Sequence, residues 1–212
     1  MAPRRQKGAP VTNLEDDLLR IELGESWFAL PAAREEFEAS TGALLDGFAP
    51  IDAEARRQLL GGLDAVFRLT ESLAPGTRTS HVLITNPASG RVQALLSIRL
   101  SRVTPEAYDN YLDAARGYAG DAGVEVVNRV VEPVRLPTGR GILSRDFTLP
   151  VQREGVADPV LERCFLALFP EGYETAVEFT LLTQNLALFD DAGSYLLALA
   201  SGERPTVTEE RS

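Results

Sequence analysis

The stretch from Val124 to Ser201 most constrains the fold of this chain, because its pattern predicts four strands in succession and then one helix. The predicted strands are Val124–Leu136, Ile142–Gln152, Val160–Phe169 and Thr175–Gln184. The helix begins near Asp190. Short loops rich in turn formers separate these strands, and short loops favour antiparallel neighbours because a parallel pair needs a long crossover. We therefore predict an antiparallel meander, which the upstream residues extend or cover.

Alternating polarity supports the strand assignments. Positions 142–149 are mainly polar at even numbers and mainly apolar at odd numbers, which is typical of an antiparallel strand with one face in water. In the first strand Val124, Val126, Val130 and Val134 share one face by the two-residue period of a strand, although Asn128 interrupts that face. The third strand is apolar almost throughout, so we expect it to lie inside the sheet.

The first quarter of the chain predicts a hairpin and a short helix. Leu18–Leu23 has the pattern of a strand, and Gly24–Ser26 is expected to turn it into a second strand, Trp27–Leu30. A short helix is predicted over Ala32–Ser40, and a loop with apolar anchors is predicted over Gly42–Pro50.

A long helix is predicted over Asp52–Ser72, because apolar residues recur on one side and Asp52 is a good N-cap. Its adjacent glycines, Gly61 and Gly62, indicate close backbone packing, a kink or a break. All three alternatives stay open at this point.

The middle of the chain predicts another hairpin and another helix. His81–Thr85 and Val92–Val103 are expected to pair as strands across a loop rich in turn formers. Thr104 as the N-cap and Pro105 at the first helical position predict a helix that ends near Ala119.

These elements predict one α+β domain over residues 15–202. Residues 1–14 and 203–212 are polar, and we expect both tails to be disordered.

Length and charge exclude several classes of protein. The chain has 212 residues, and it contains no apolar run of the roughly 18 residues that span a membrane. No secretory signal is evident, and a single cysteine fits a reducing compartment, so we expect a cytoplasmic protein. The formal charge of −10 opposes nucleic-acid binding, which calls for a basic surface.

The basic residues are almost all arginines, because Lys7 is the only lysine among 21. A single lysine in a predicted tail leaves none for a Schiff base, a phosphate loop or a lysine general base. Pyridoxal-phosphate enzymes, P-loop NTPases and ordinary kinases are therefore disfavoured. The use of arginine in place of lysine, together with heavy use of Ala, Gly and Leu, suggests a GC-rich bacterial genome.

Residues of the types that catalyse reactions are few. His81 is the only histidine, and no Gly-x-Ser-x-Gly sequence accompanies it, so we expect a structural role. Cys164 lies in the middle of a predicted strand, where a buried and inert thiol is the common outcome. The acidic clusters lack the spacing of a calcium loop, and we interpret them as solvated faces or helix caps. They are Glu15–Asp17, Glu35–Glu38 and Asp190–Asp191. No metal or other cofactor is predicted.

Four residues are candidates for binding a ligand or a partner. Trp27 and Tyr173 are aromatic residues near predicted loops, and aromatic residues are enriched at binding surfaces. Arg140 lies in the predicted turn near the centre of the meander, and Arg145 lies in the strand that follows it. There they could meet an anionic group.

The order of elements resembles the fold shared by the photosystem II protein PsbP and the Mog-type Ran-binding proteins. The resemblance covers residues 18–202, and it rests on the stretches Trp27–Pro31, Leu136–Ile142, Phe169–Tyr173, Ala176–Thr180 and Asp191–Ser201. It implies an α/β/α sandwich around a mainly antiparallel sheet. Members of that superfamily are mostly binding or assembly proteins without catalytic residues, so it implies binding without specifying a partner.

Three hypotheses for function follow. The first is a non-enzymatic adaptor, for example one associated with secretion, that recognises another protein through a face or an edge of the sheet. The second is a small-ligand-binding protein or an enzyme that uses carboxylates and arginines, and it requires a pocket with convergent polar groups. The third is a structural homo-oligomer such as a dimer. We favour the first.

Overall fold

The computed structural model describes residues 12–14, 19–72, 77–104, 106–120, 124–150 and 160–208. Strands β1 (Thr12–Leu14) and β2 (Leu19–Ile21) form a small antiparallel sheet. The other strands are β3 (Trp27–Leu30), β4 (Thr77–Leu83), β5 (Ala94–Arg102), β6 (Val124–Leu136), β7 (Gly139–Pro150), β8 (Leu161–Pro170) and β9 (Thr175–Thr183). They form one seven-stranded sheet in the order β3-β4-β5-β9-β8-β7-β6, and every neighbouring pair is antiparallel.

Helices cover both faces of the large sheet. They are α1 (Arg34–Gly47), α2 (Ala53–Ser72), α3 (Ala107–Gly117) and α4 (Ala192–Ala200), and Pro87–Ser89 forms a single 3₁₀ turn. Helix α4 and strand β2 cover one face, which we call the α4 face. Helices α1 and α2 cover one end of the opposite face and α3 covers the other end, so we call it the α2–α3 face. The prediction of an α+β protein with an antiparallel sheet is confirmed.

Several local predictions that depended on turns and caps agree with the structure. The four strands of the meander, β6 to β9, pair with one another in chain order. The β4–β5 hairpin also forms as predicted. The Asp52 carboxylate accepts a hydrogen bond of 2.7 Å from the N–H of Ala55, and Asp191 caps α4 through the N–H of Gly193 at 2.9 Å.

The adjacent glycines of α2 allow close packing, since the helix continues through them. A Cβ atom built on Gly62 would lie 3.2 Å from a methyl carbon of Val92, which is tighter than an ordinary contact. A Cβ atom on Gly61 would meet nothing within 4 Å. Gly62 therefore lets α2 approach the start of β5, and of the three alternatives the structure selects close packing.

The predicted hairpin between residues 18–23 and 27–30 is wrong. Strand β2 pairs with β1, and β3 pairs with β4 so that Trp27 lies opposite Leu83. A tight turn does follow β2, because the N–H of Trp27 donates to the carbonyl of Gly24 at 3.1 Å. The turn sends the chain away from β2 into the large sheet, where β4 supplies a longer partner.

The helix predicted over 32–40 is longer than expected, because α1 continues through Gly42 to Gly47. Its buried residues, Phe37, Thr41 and Leu45, are four apart and form one stripe against α2 and the sheet. Burial of this stripe outweighs the roughly 1 kcal/mol that a glycine costs inside a helix. Helix α3 begins at Ala107 with Glu106 as its N-cap, two residues later than Thr104 predicts.

A β-bulge divides the first strand of the meander. The register of β6 against β7 shifts between Val127 and Val130, and Asn128 adopts a positive φ of 52°. Val126 lies opposite Thr148 and Val130 lies opposite Arg145, so these two valines are on opposite faces of the sheet. The prediction that Val126 and Val130 share a face is wrong, because a bulge inserts an extra residue and reverses the alternation.

Strand β7 differs from its prediction in a second way. Its polar positions Ser144, Asp146 and Thr148 are buried, whereas the apolar Phe147 and Leu149 are only half-buried. The expectation that the polar side faces water is therefore wrong for this strand. The reason lies in the ion pairs of Asp146, which are described below.

Parts of both predicted tails belong to the folded structure. Residues 12–14 form β1, and residues 1–11 lie outside the described part of the chain. Residues 203–208 pack against the domain. The N–H of Thr208 donates to the carbonyl of Leu188 at 2.9 Å, and Val207 packs against the core of the α4 face. Residues 209–212 also lie outside the described part.

Candidate functional site

The two faces of the central strands carry different chemistry. On the α4 face, β5, β8 and β9 contribute a continuous apolar core in which Leu96, Cys164, Leu166 and Phe179 are fully buried. On the α2–α3 face the same strands contribute charged side chains and half-buried apolar ones. A buried charge is costly unless it is paired and hydrogen-bonded, so the partners of these charges need to be identified.

Glu178 of β9 is the centre of the first polar cluster. Arg99 of β5, directly opposite in the register, donates from Nε at 2.9 Å and from Nη2 at 2.6 Å to one carboxylate oxygen. The hydroxyl groups of Ser101 in β5 and Tyr111 in α3 each donate a hydrogen bond of 2.6 Å to the other oxygen. The Glu178 side chain is 7% exposed, so four charge-assisted hydrogen bonds fix a nearly buried carboxylate. Burial, and then the bond to Glu178, raise the pKa of Tyr111.

Asp146 of β7 is the centre of the second polar cluster, and its side chain is fully buried. Arg163 of β8 donates from Nε at 3.1 Å and from Nη2 at 2.8 Å, one bond to each carboxylate oxygen. Arg129, which lies in the bulge of β6, donates from Nη1 to Asp146 and from Nε to the carbonyl of Ala115 at 2.7 Å. The bulge therefore aims an arginine at Asp146 and ties it to the end of α3.

Tyr118, just beyond α3, lies over this cluster. The guanidinium carbons of Arg129 and Arg163 are 4.9 and 4.4 Å from the centre of its ring, within the range of cation–π contacts. Burial lowers the pKa of Arg129. Burial also opposes the charge on Arg163, but hydrogen bonds to Asp146 and Tyr118 leave its pKa raised. One carboxylate thus holds two arginines.

Arg78 of β4 is next to the Glu178 cluster, because it lies directly opposite Arg99. Its buried Nε atom has no hydrogen-bond partner among the described residues, and its Nη1 lies 3.4 Å from the carbonyl of Thr70 near the end of α2. Burial, and then the charge of Arg99, lower the pKa of Arg78. Among the residues that the structure describes, no carboxylate forms an ion pair with this side chain.

Helices α2 and α3 belong to separate clusters at the two ends of this face, and the strip of sheet between them, which we call the groove, is only partly covered. Its floor comes from the adjacent strands β5, β9 and β8. Four side chains of this floor are only half-buried: Leu161, Phe165, Thr180 and Leu182. At one end the floor deepens into a cavity of about 300 Å³. This cavity is lined mainly by α2 residues Gly62, Ala65, Val66 and Leu69 and by Leu95, Leu161 and Leu182 of the sheet.

The charged residues along the groove carry a net positive charge. The two clusters and the adjacent Arg78 contain two carboxylates and four arginines, which are Arg78, Arg99, Arg129 and Arg163. The chain as a whole has a formal charge of −10. This combination of basic groups with an apolar floor makes the groove the candidate functional site.

The structure does not bring together at one site the four residues that the sequence nominates. Trp27 is buried on the α4 face, where its Nε1 donates to the hydroxyl of Tyr195 at 2.8 Å. It borders a cavity of about 590 Å³ between the start of β3 and residues 204–207. Trp27 therefore lies on the other side of the sheet from the groove.

Arg140 and Tyr173 do lie together, and they border a third cavity of about 380 Å³ at the turns of the meander. The guanidinium carbon of Arg140 is 4.1 Å from the ring centre of Tyr108, and Tyr173 is 55% exposed. An exposed ion pair between Arg135 and Glu171 forms the rim of this cavity.

Arg145 faces away from Arg140, because it lies opposite Cys164 on the α4 face. It donates to Glu162 at 2.8 Å and to Asp191 at 3.2 Å, so it links β8 to the cap of α4. Its carboxylate partners already occupy the guanidinium.

His81 and Cys164 are both buried on the α4 face. Burial lowers the pKa of His81 from 6.5 to about 4, and within the described part of the chain its Nδ1 has no hydrogen-bond partner. Burial, followed by the nearby Glu162, raises the pKa of the Cys164 thiol to about 12. Neither side chain is positioned for chemistry in the groove.

The two acidic clusters that the structure describes do not come together. Glu35, Glu36 and Glu38 are exposed on α1, Asp191 caps α4, and Glu15–Asp17 lie outside the described residues. Within the described ranges, His, Cys, Asp and Glu side chains form no group of three or more that could hold a metal ion. None of the described helices is both long and apolar enough to cross a membrane.

Sequence reasoning did not single out Arg78, Arg99, Asp146, Arg163 or Glu178. A usable signal existed in β7 and β8, since a charged residue at a polar position of each neighbouring strand allows a cross-strand pair. Arg99 and Glu178 are 79 residues apart, so only the pairing of β5 with β9 reveals their contact.

Comparison with models of protein families finds no family that matches this chain. A search of curated proteins likewise finds no similar sequence.

Proposed function

We propose that this chain is a non-enzymatic binding protein that recognises another polypeptide through the groove between α2 and α3. The observation that carries the proposal is the combination of a half-exposed apolar floor and rigidly held basic groups at the centre of the sheet. The resemblance to PsbP-like and Mog-type proteins, and with it a role as an adaptor, belongs to this proposal.

The apolar floor supports docking. Leu161, Phe165 and Leu182 are half-buried on inner strands, whereas Cys164, Leu166 and Leu181 on the reverse of the same strands are at most 1% exposed. The centre of a sheet is normally covered by its own helices. A partner that covered this floor would gain roughly 25 cal/mol for each Å² of apolar surface removed from water.

The charged groups support specific recognition, because they are already ordered. Glu178 accepts four hydrogen bonds and Asp146 is held by two arginines, so these arginines have few rotamers to lose when a partner binds. Ordering a flexible side chain at an interface costs about 0.5–1.5 kcal/mol, and preorganisation reduces that cost.

The same bonds argue against acid–base catalysis in the groove. Both oxygens of Glu178 accept hydrogen bonds, and both oxygens of Asp146 accept hydrogen bonds from Arg163. These contacts suit carboxylates that position arginines. His81 and Cys164, which could otherwise support nucleophilic chemistry, lie on the reverse of the sheet.

The proposal is tested by native mass spectrometry of the tagged protein, recovered gently from its own cell extract. We compare wild type with Ala65→Trp, which fills the end of the groove from an exposed position on α2. Ala43→Trp, on the exposed side of α1, is the matched control. The expected result is a second polypeptide at fixed stoichiometry with wild type and with Ala43→Trp, and its loss with Ala65→Trp.

Circular dichroism establishes that each variant is folded. Should Ala65→Trp fail to fold, Leu69→Glu changes the lining of the same cavity from a position that is 41% exposed. A partner that remains bound to a folded groove variant as well as to wild type would contradict the proposal, as would recovery of the protein without any second polypeptide.

A further inference from the structure

We infer that the groove selects an acidic peptide segment, with an apolar side chain in the 300 Å³ cavity and a carboxylate at Arg78 and Arg99. This inference rests on the proposed function and names the chemistry of the partner. It rests on three features of the groove: an arginine without a carboxylate, a local surplus of positive charge, and the spacing between that charge and the cavity.

Arg78 and Arg99 lie directly opposite each other on β4 and β5. Of these two arginines, Arg99 is the one that donates to Glu178, with two hydrogen bonds to one carboxylate oxygen. The contact of Arg78 with the carbonyl of Thr70 is long at 3.4 Å, and no described residue provides a carboxylate for this side chain. Two adjacent guanidinium groups repel each other, so a second carboxylate beside Arg78 would offset that repulsion.

The second cluster adds to the same field. Asp146 is paired with two arginines, Arg129 and Arg163. Together with Arg78 and with the pair of Arg99 and Glu178, the groove therefore holds four arginines and two carboxylates. Elsewhere the chain is strongly acidic, with 31 acidic and 21 basic residues overall. An acidic segment is therefore repelled by most of the surface and attracted to the groove, which favours one docking position.

The spacing of the two contacts sets the pattern of the peptide. Leu95 and Leu182 mark the cavity, and Arg99 and Glu178 lie four residues along the same two strands. Four residues of strand span about 13 Å. An extended peptide covers that distance with about four residues, and a helix covers it with about eight. The floor strands are already paired on both sides, so recognition must use side chains rather than an added strand.

A display library of random 12-residue peptides is the probe. It is panned on the wild-type protein at low salt after depletion on Ala65→Trp, so that only groove-dependent peptides remain. The expected result is enrichment of sequences that combine a bulky apolar residue with Asp or Glu, separated by about four or about eight positions.

Charge variants then locate the carboxylate. In fluorescence anisotropy, Arg78→Gln is expected to weaken binding of a selected peptide about tenfold, which is the value of one charge-assisted contact. Arg20→Gln removes the same charge from an exposed side chain near the α4 face, and it should leave the affinity unchanged. Replacing the peptide's Glu by Gln should abolish the effect of Arg78→Gln, and Arg78→Glu should regain affinity for the peptide with Lys at that position.

The outcomes separate the two proposals. Groove-dependent peptides that are neutral or basic, or acidic peptides that bind Arg78→Gln as well as wild type, overturn the acidic segment but leave a binding groove. Failure to enrich any groove-dependent peptide, together with a partner that ignores Ala65→Trp, overturns both. A dimer of this chain that Ala65→Trp dissociates would identify a second copy as the occupant and overturn the inference.

Discussion

The two faces of the sheet differ in the ionisable groups that they bury. On the α4 face burial keeps His81, Cys164 and Tyr195 neutral, because it lowers the pKa of His81 to about 4 and raises those of Cys164 and Tyr195 to about 12. On the α2–α3 face Asp146 and Glu178 are buried as partners of arginines. Successive residues of a strand point to opposite faces, so a single strand such as β8 supplies Cys164 to one environment and Arg163 to the other.

The difference teaches where a binding site can lie on such a sheet. The α4 face is covered across its central strands, and its core side chains have almost no exposed surface. The α2–α3 face is covered at its two ends, which leaves a groove with ordered charges between the helices. The rim of the α4 face does carry one ionic link, from Arg145 to Glu162 and Asp191, but that link fastens α4 to the sheet.

The largest effect should come from removing the carboxylate that pairs two arginines. Asp146→Ala leaves Arg129 and Arg163 without their buried partner, and breaking a buried pair costs about 3–5 kcal/mol of unfolding free energy. Chemical denaturation measures this loss. Asp113→Ala removes an exposed aspartate from α3 and is the control, with an expected change near zero. A loss below about 1 kcal/mol for Asp146→Ala would mean that the cluster is not structurally required.

The next effect concerns the neutral face and is a dependence on pH. His81 has a pKa of about 4 when folded and an ordinary value of 6.5, so between these values the unfolded chain binds a proton that the folded chain does not. Unfolding is therefore favoured as the pH falls from 6.5 to 4, by about 3 kcal/mol in total, and no further below 4.

Denaturation of wild type and of His81→Gln across this pH range measures the histidine contribution as the difference between the two slopes. An NMR titration of the imidazole gives the pKa of His81 directly. A value near 6.5 would contradict the burial that the structure gives this side chain.

A smaller effect should come from the neutral hydrogen bond between Trp27 and Tyr195. Trp27→Phe removes the donor and leaves a buried hydroxyl without it, which should cost about 1–3 kcal/mol. A double-mutant cycle with Tyr195→Phe isolates the pair, and we expect a coupling energy of about 1 kcal/mol. Additive effects of the two substitutions would show that the pair contributes packing alone.

The smallest effect should come from the exposed ion pair at the turns of the meander. Arg135 and Glu171 are 2.8 Å apart, and their side chains are 79% and 72% exposed. Arg135→Gln should change the unfolding free energy by less than about 0.5 kcal/mol, because water and salt screen such pairs. A change as large as that of Asp146→Ala would remove the distinction between buried and exposed charge pairs.

Much of the fold could be predicted, because it depends on nearby residues. The strands β6 to β9, the β4–β5 hairpin and the caps at Asp52 and Asp191 follow from alternation, turn formers and capping side chains. The predicted pairing of β2 with β3 failed because both strands found other partners. The bulge at Asn128 went unnoticed because a single inserted residue leaves the composition of a strand unchanged.

The candidate site could be predicted much less well. Trp27, Arg140, Arg145 and Tyr173 were chosen for their residue types and their positions near turns, and the structure brings only Arg140 and Tyr173 to the same cavity. The groove residues were overlooked because each occupies an ordinary polar or apolar position in its own element. Their importance arises from contacts across strands that are not consecutive in the chain.

By itself the sequence determined an α+β protein with an antiparallel meander, a single histidine and almost no lysine, because periodicity and composition are properties of neighbouring residues. Only the tertiary structure decided that Asp146 and Glu178 are buried among arginines and that a groove separates α2 from α3. The physical reason is that the burial and charge of a side chain depend on the strand register and on helix placement. Residues as distant as Arg99 and Glu178, which are 79 positions apart, meet only after the sheet has formed.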